Sequence, residues 1–504
     1  RWWCGTAAPA TPPPATTPRP ASWCSGPAAD QGRAHPTTGT AVGRGPDVYA
    51  CGTPAGGPTT SSRHIGVSLS GGGHRASLFG LGALIYLVDA GKGPEISCVS
   101  SVSGGSITNG WVGLKTDLFL AAPGDFRSDV APLAAAVSTR GTLWRAPLTY
   151  AYLALLLAVV AVATYLCFPL DGAWPFGVWA VAVAVVGWLA RQRGWIAARA
   201  FDRALFRGAE LGRLNPNTDH VICSCDLQTA EAVYFSGRFV YSYRLGWGVP
   251  GGLPLARAVQ ASACLPGAFA PVVLPIDRHR FSLAGAGDRP LRRLLLTDGG
   301  VYDNMGTEWP LRLDARIREG GGPVPPPHPV DEVVVVNASA GAGVNPRASV
   351  TKPVLGEITS LLAVKDVLYD QTTAVRRRLL DARYRATRAG IEDRSVRLTG
   401  GTVQIDRSPY ELPRTFADGK DDLARRAQKA IEALDALSPG EEAAWAADAH
   451  ANRSVKTALS KIPADRAARL LRHAYVLTMV NMHVLREYPL LAIPSVADFE
   501  KLVV

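Results

Sequence analysis

Two strand-turn-helix units stand out in the pattern of apolar and polar positions. In the first, an apolar run over residues 65–70 precedes a turn of glycines, and apolar residues then recur at helical spacing from Leu78 to Val88. In the second, the run over residues 96–101 precedes a turn of small residues, 102–105, and another helix-like segment. Each unit therefore predicts a tight turn between a strand and a helix.

Apolar runs continue downstream of these units. They predict strands over residues 220–227, 232–236, 294–297 and 333–337, and a short helix over residues 256–263. Strands that are apolar along their whole length are buried on both faces, and the helices between them cover those faces. The pattern predicts an α/β fold with a mostly parallel sheet, followed by a helical C-terminal region packed on it over residues 346–504.

Two long apolar segments interrupt this alternation. Residues 148–170 contain no charged residue, and after Asp171 residues 172–190 contain none either. A transmembrane helix needs about 20 apolar residues, so the first segment is long enough and the second is marginal. The break between them predicts a tight turn, and thus a two-helix transmembrane hairpin over residues 146–192.

The hairpin divides the chain into unequal parts. Residues 1–62 are rich in proline, alanine and threonine, with few large aliphatic residues, and predict a disordered tail. The predicted α/β domain has a first part over residues 63–145 and a second part over residues 193–345. These two parts are separated in sequence by the hairpin and must come together in space to form one domain.

Composition and charge narrow the class of protein. The chain has 504 residues, 47% of them hydrophobic, and a formal charge of +11. No groove-reading motif or basic-aromatic platform accompanies the positive charge, so we expect no nucleic-acid partner and favour an anionic membrane surface. A basic surface with no partner is equally compatible with the charge. The eight cysteines show no metal-ligand spacing, and we expect free, buried thiols in a reducing compartment.

Candidate chemistry lies in the two turns. Ser103 stands in the second turn, where small neighbours let a strand-to-helix turn close and hold the hydroxyl over a helix N-terminus, as in a nucleophile elbow. Ser101 precedes it, and Gly104 and Gly105 follow it. Stabilising an oxyanion requires N–H donors, and a glycine run that opens a helix offers them. Gly71, Gly72 and Gly73 supply such a run.

A third segment adds a carboxylate. The apolar run 294–297 ends in Asp298, Gly299 and Gly300, so that a strand presents a carboxylate at the edge of the sheet. Such a carboxylate is a candidate base that activates the serine without a histidine. Asp303 is the rival base, but it lacks this place at a strand end.

These three segments together resemble the patatin-like phospholipases. The resemblance rests on GGGxR, a serine elbow and DGG in that order, and it extends to residues 261–269 and to residues 298–306, which include Asn304. It implies a patatin-like three-layer α/β/α fold whose enzymes hydrolyse acyl esters of lipids with a Ser-Asp dyad. Carried over, Ser103 is the nucleophile and Asp298 the base. Gly71 to Gly73 with Arg75 form the oxyanion loop, although Arg75 is equally suited to brace that loop.

One position departs from the family pattern. The usual elbow is GxSxG, whereas this chain has Ser101 at the first position. Serine is small enough for the turn to close. The implied activity is that of a phospholipase A or lysophospholipase acting on membrane phospholipid or lysophospholipid, with no cofactor and no metal.

Alternatives to this function remain open. The spacing Gly71-x-Gly73-x-x-Ala76 after a strand also resembles a dinucleotide-binding turn, with Asp89 as the acid that would bind ribose. An acyltransferase would use the same acyl-enzyme with an acceptor other than water. A catalytically silent membrane scaffold has no motif in its favour, since both dyad residues are present.

Arginines indicate the orientation of the hairpin. Arg140 and Arg145 precede it, and five arginines follow it between residues 191 and 207. By the positive-inside rule both outer ends lie in the cytoplasm, which predicts an integral protein of the cell membrane with the catalytic domain facing the cytoplasm. Two alternatives are a hairpin buried in a soluble protein and one that dips into the bilayer without crossing it. Nothing in the sequence indicates the oligomeric state.

Overall fold

The structure is a computed structural model that describes residues 64–139, 141–143, 146–168, 172–283, 291–339, 353–391, 398–437 and 441–504. For residues 353–362, 365 and 441 it describes the backbone alone. The tail predicted over residues 1–62, three of the cysteines (Cys4, Cys24 and Cys51), Arg140 and Arg145 lie outside these residues.

A single mixed sheet forms the centre of the described part of the chain. Its strands are β1 (Ile65–Leu69), β2 (Ile96–Val102), β3 (Asp219–Asp226), β4 (Glu231–Phe235), β5 (Val240–Ser242), β6 (Gly246–Gly248), β7 (Val272–Pro275), β8 (Arg293–Asp298), β9 (Glu332–Asn337) and β10 (Thr399–Gln404). The strand order is β10-β9-β1-β2-β3-β4-β5-β6, and β7 and β8 join at β3. The first five strands of this order are parallel to one another, as predicted, and the others extend the sheet with antiparallel pairs.

Helices flank the sheet, which confirms the predicted α/β class. They are α1 (Gly73–Asp89), α2 (Gly104–Gly113), α3 (Pro123–Thr139), α4 (Pro147–Cys167), α5 (Trp174–Ala190), α6 (Arg193–Phe201), α7 (Leu255–Ser262), α8 (Gly300–Asp303), α9 (Glu308–Leu311), α10 (Leu313–Arg318), α11 (Pro353–Arg388), α12 (Glu411–Phe416), α13 (Asp422–Asp435), α14 (Glu441–Arg453), α15 (Ala464–Arg486) and α16 (Val496–Val503).

The core lies around β1 and α1. Every residue of β1 is buried, and so is α1 from its first residue to Val88. A helix that is apolar on all sides needs cover on all sides, and α15 supplies it on the face away from the sheet. The C-terminal region therefore packs on the α/β sheet domain through α15.

The C-terminal region also contains a strand that the sequence pattern misses. β10 pairs in parallel with β9 and so belongs to the central sheet. Its sequence, Thr-Gly-Gly-Thr-Val-Gln, has no apolar run, and Gly400 has a φ of 123° with no room for a side chain against the Val333 carbonyl. The segment is an edge strand because of what it pairs with, and residues 346–504 are not purely helical.

The helices α4 and α5 form the predicted hairpin and pack against each other. The Tyr152 hydroxyl donates a hydrogen bond of 3.3 Å to the Leu189 carbonyl, which ties the two helices together. Most of their apolar side chains face outwards: Leu157 is 72% exposed and Val183 is 66% exposed. The hairpin is therefore not buried in the core of this chain. By length and composition α4 and the helical run Trp174–Phe206, which begins with α5, are each sufficient to cross a membrane.

Candidate active site

Ser103 occupies a strained turn between β2 and α2. Its backbone has φ 50° and ψ −116°, a region that non-glycine residues rarely enter. Strain of this kind costs about 1–3 kcal/mol and persists only where the surrounding structure enforces it. Here the enforcing contacts are close: a Cβ on Gly104 would lie 1.9 Å from the Gly73 carbonyl oxygen, and one on Gly105 would lie 2.7 Å from that of Leu69. The two predicted support glycines are required by packing.

Hydrogen bonds to buried serine hydroxyls stabilise the backbone of the elbow. The Ser103 N–H donates to the Ser262 hydroxyl at 2.9 Å, and Ser262 in turn donates to the Cys223 carbonyl at 2.5 Å. Ser101 donates to the Val221 carbonyl at 3.1 Å and accepts from Asn109 at 2.8 Å. A serine at the first elbow position is thus accommodated, and its hydroxyl is satisfied inside the sheet.

The glycine turn lies beside the elbow. One of its glycine N–H groups donates a hydrogen bond to a protein carbonyl, and, in the part of the chain that the structure describes, two do not. The Gly71 N–H donates to the Asn304 carbonyl at 2.9 Å, and the His74 N–H donates to the Ala458 carbonyl at 3.0 Å. Within the described residues, the N–H groups of Gly72 and Gly73 have no such partner. Both glycines have positive φ, 141° and 61°, which suits a backbone turned towards a ligand.

Arg75 is 3% exposed and binds backbone carbonyls of other segments. Its guanidinium donates to the carbonyls of Ala338 at 3.0 Å and Arg453 at 3.1 Å, and also to that of Val455. Burial lowers the pKa of Arg75 to about 10, which still leaves the side chain charged at neutral pH. Of its two predicted roles, this geometry favours the brace, since its donors are used by the protein.

Asp298 reaches the elbow because β8 meets β2 end to end. Val102, the last residue of β2, pairs with Cys223 of β3, and Asp298, the last residue of β8, pairs with the next residue, Ser224. Both strands lie on the side of β3 opposite β4, and they run towards each other. The carboxylate thus arrives beside Ser103 from the opposite direction along the sheet.

Local contacts fix the Asp298 side chain in place. It is 1% exposed, and its Oδ1 accepts a hydrogen bond of 2.8 Å from the Gly300 N–H. A Cβ on Gly299 would lie 2.3 Å from the Cys223 carbonyl, and one on Gly300 would lie 2.5 Å from the Tyr369 ring. The two glycines after Asp298 therefore let the chain turn tightly against β3 and let α11 approach.

Asp303, the rival candidate base, makes structural contacts with its carboxylate. Its carboxylate lies 3.3 Å from the Arg376 guanidinium, and it accepts backbone N–H bonds from Met305 at 3.1 Å and Glu308 at 2.7 Å. These contacts hold the loop after α8 against α11. Asp303 is also absent from the lining of the cavity that contains Ser103.

Ser103 and Asp298 line the same cavity, which has a volume of about 280 Å³. Among the other predicted site residues, Gly71, Gly72, Arg75 and Asn304 line it too. Leu265, from the segment 261–269 that shares in the resemblance, lines the cavity as well. The remaining lining residues come from distant segments and carry no signal in the sequence: Ser339, Asp366, Tyr369, Asp370 and Thr457. The C-terminal region was expected to pack on the sheet, and it also forms one wall of the site.

Tyr369 is a residue of the C-terminal region that lies next to Asp298. It sits on α11 with its ring against Gly300, and its hydroxyl is buried. Burial first, and then the charge of the nearby Asp298 carboxylate, raise the pKa of Tyr369 well above its usual value. The phenol is therefore neutral at any working pH and contributes a polar O–H next to the carboxylate.

The dinucleotide alternative does not fit this geometry. The acid that binds ribose belongs at the end of the second strand, whereas Asp89 closes α1 and pairs with Arg127 at 2.5 Å. The backbone of Ala458 also packs against Gly73, where a Cβ would lie 2.6 Å from the Ala458 carbonyl oxygen. The C-terminal region thus covers one side of the glycine turn.

Two smaller expectations have different outcomes. His74 directly follows the glycine run and would be an exposed loop residue if the turn continued through it, but α1 already begins at Gly73, so His74 is fully buried and bonds to Thr142 at 2.9 Å. The cysteines of the described residues are free, and four of the five are buried, as expected. Within those residues no group of three or more histidine, cysteine or acidic side chains could hold a metal ion.

Comparisons with known proteins agree with this geometry. A family model described as patatin-like phospholipase matches residues 67–309, from β1 to α9. That span contains the elbow, the glycine turn and Asp298, and it surrounds the hairpin. No curated protein matches the chain.

Solved structures give more distant likenesses. Human GIVD cytosolic phospholipase A2, in complex with methyl gamma-linolenyl fluorophosphonate, is 12% identical with a TM-score of 0.41, over 88% of this chain and 60% of that one. Another structure of the same human enzyme has a TM-score of 0.35 and 12% identity, over 56% of this chain and 46% of that one. VipD from Legionella pneumophila has a TM-score of 0.24 and 14% identity, over 88% and 90% of the two chains. The chain thus spans less than two thirds of the human enzyme.

The fold and the site define an α/β domain with a serine at a strained turn between a strand and a helix. Residues 67–309 of this domain match the patatin-like phospholipase family.

Proposed function

We propose that the protein is a membrane-anchored lipid acyl hydrolase of the phospholipase A or lysophospholipase type, working through a Ser103-Asp298 dyad. The observation that carries this proposal is the strained Ser103 turn, which shares one cavity with Asp298 where β2 and β8 meet. Strain at a serine is retained where the hydroxyl must stand out from the backbone for attack.

The chemistry follows the positions of the groups. Asp298 takes the proton of the Ser103 hydroxyl as the oxygen attacks the ester carbonyl of a lipid, and it passes that proton to the alcohol when the C–O bond to the alcohol breaks. The acyl group is then held on Ser103 until a water molecule, deprotonated by Asp298, attacks it. The bond to Ser103 breaks, Asp298 returns the proton to the Ser103 oxygen, and the acyl group leaves as a fatty acid. The Gly72 and Gly73 N–H groups stabilise the oxyanion in both steps, since those of Gly71 and Arg75 already bind protein carbonyls.

The hairpin supplies the membrane anchor. α4 has 21 residues and is about 31 Å long at 1.5 Å per residue, close to the thickness of a bilayer core, and its apolar side chains are exposed. The basic residues that follow α5 put the outer ends, and with them the active site, on the cytoplasmic side. An alkaline carbonate wash tests the anchor: the protein should stay in the membrane pellet, and its release would refute integral insertion.

Labelling with a fluorophosphonate probe tests the dyad. Wild-type protein in detergent should be labelled, Ser103→Ala should lose at least about 10⁴-fold in activity and all labelling, and Asp298→Asn should lose about 10²- to 10⁴-fold in rate. Asp303→Asn is the matched control, because it removes a carboxylate from the same loop without touching the cavity. Equal loss of labelling per folded protein in Asp298→Asn and Asp303→Asn, or labelling that survives in Ser103→Ala, would overturn the assignment.

The Arg75→Lys variant tests whether Arg75 braces the glycine loop or donates a hydrogen bond to the oxyanion. A lysine keeps the charge but cannot reach three carbonyls at once, so stability should fall while the rate per folded molecule changes little. The measurement is thermal unfolding alongside the labelling rate. A labelling rate that collapses at unchanged stability would assign Arg75 to the oxyanion instead.

A further inference from the structure

A second cavity lies at the base of the hairpin, away from Ser103. It has a volume of about 420 Å³ and lies between α6 and the start of α7. Trp195, Ala198 and Arg199 line it from α6, and Pro254, Ala256 and Arg257 line it from the other side, with Asp202 and Gly208 completing the wall. Apart from two arginines and one aspartate the walls are apolar or glycine.

The cavity lies where a bilayer surface would meet the protein. α6 begins within one turn of the end of α5 and contacts both α4 and α7. Trp195 is 45% exposed, and the Arg199 guanidinium lies 5.2 Å from the centre of its ring. Tryptophan and arginine at the end of a membrane helix are typical of the headgroup level.

The two arginines have no acidic partner among the described residues. Neither Arg199 nor Arg257 has a carboxylate within salt-bridge distance, and Arg257 is partly buried. Burial lowers the pKa of Arg257, which reflects the cost of keeping this cation out of water. Asp202, the one acid at the cavity, accepts a hydrogen bond of 2.7 Å from the Gly208 N–H instead. A partly buried cation without a counterion is a place for an anionic ligand.

We propose that this cavity binds one anionic phospholipid of the surrounding bilayer, with its phosphate on Arg199 and Arg257 and the start of an acyl chain against Trp195, Ala198 and Ala256. The apolar walls exclude a free phosphate as the natural occupant, and the hairpin brings lipid to the opening. This inference rests on the membrane anchoring proposed above, and it concerns a bound lipid rather than the substrate.

The site is connected to the elbow through one helix. α7 carries Arg257 near its start and ends at Ser262, whose hydroxyl accepts the Ser103 N–H at 2.9 Å. Bound lipid would therefore stabilise the same helix that supports the nucleophile.

Native mass spectrometry of the full chain in detergent tests the site. The Ser103→Ala protein is used throughout, so that no lipid is hydrolysed, and is titrated with phosphatidylglycerol or with phosphatidylcholine. One phosphatidylglycerol should bind more tightly than any phosphatidylcholine. In the Arg199→Gln/Arg257→Gln protein, affinity for this lipid should fall about 25-fold, since each arginine contributes about fivefold.

Arg203→Gln is the matched control, because Arg203 is exposed on the same segment and does not line the cavity. Phosphatidylglycerol affinity should stay within about twofold in this variant. Equal affinity in the double variant and the parent, or equal loss in Arg203→Gln, would overturn the proposal.

Filling the cavity gives a charge-independent version of the test. Ala198→Leu should lower phosphatidylglycerol affinity while leaving both arginines in place, and unchanged affinity in a folded variant would contradict the proposed acyl contact. The carbonate wash separates the two proposals: a protein that stays in the membrane but shows no arginine-dependent lipid refutes the site alone.

Discussion

The elbow and the hairpin show two opposite ways in which small and apolar residues are used. At the elbow, a side chain on Gly104 would lie 1.9 Å from a backbone carbonyl, whereas Gly177 and Gly187 in the hairpin have nothing within 4 Å of such a side chain. Ile65, Val67 and Leu69 of β1 are completely buried, while the leucines and valines of α4 and α5 are mostly exposed. The same residue types are held by protein in one region and left uncovered in the other.

This difference indicates what each region packs against. The elbow is shaped by neighbouring backbone, so its geometry is set inside the molecule. The hairpin presents an apolar surface of a kind that water disfavours and a bilayer covers. We therefore expect the elbow to be intolerant of added atoms and the hairpin to be separable from catalysis.

The largest expected effect is that of removing the hairpin. Replacing residues 151–186 with a short Gly/Ser linker keeps Thr149 and Leu189, which are buried, and should move the protein from the membrane pellet to the soluble fraction. Hydrolysis of a soluble short-chain ester should persist, because no residue of the hairpin lines the site. Fractionation and esterase assay are the measurements.

A version of the hairpin with its apolar residues in scrambled order is the control and should stay in the membrane. If the shortened protein is soluble and folded but lacks esterase activity, the two regions are not separable.

Next in size is the effect of one methyl group at the elbow. Gly104→Ala forces a Cβ into the Gly73 backbone, which cannot yield as a side chain can, and should cost about 3 kcal/mol or more. Gly187→Ala, the same change in the hairpin, should leave stability within about 0.5 kcal/mol. Thermal unfolding in detergent compares them, and an equal melting temperature for both variants would mean that the elbow is not tightly packed.

The smallest of these effects concerns pH. Burial lowers the pKa of His74 to about 4 and that of His220 to about 4, below the value in an unfolded chain. The unfolded chain therefore takes up the protons first, so stability is full above a pH of about 6.5 and falls as pH drops towards 4. Each histidine should lower the free energy of unfolding by about 2 kcal/mol between pH 7 and pH 5.

Unfolding of His74→Gln at both pH values measures its share. Between pH 7 and pH 5 this variant should lose about half of the unfolding free energy that His74 and His220 together account for. His450→Gln, at an exposed position, should lose all of it. An undiminished loss in His74→Gln would show that this histidine already carries a proton in the folded protein.

Sequence alone was sufficient wherever the signal is local. A serine flanked by small residues between a strand and a helix specifies a tight turn through neighbouring residues, and Ser103, Gly104 and Gly105 lie where that pattern predicted. Two uncharged segments, the first long enough for a bilayer and the second marginal, likewise identify α4 and α5. The roles predicted for Ser103 and Asp298 remain proposals, supported by their common cavity.

Only the tertiary structure decided the rest, because those contacts join residues that are far apart in the chain. Asp298 reaches Ser103 through an antiparallel strand that meets β2 end to end, where the apolar pattern alone indicated a mostly parallel sheet. The Tyr369 ring and the carbonyls that hold Arg75 come from segments with no motif of their own, and the sequence did not indicate that the Ser262 hydroxyl accepts the Ser103 N–H. A local pattern specifies the shape of a turn, but the partners of that turn depend on how distant strands and helices pack around it.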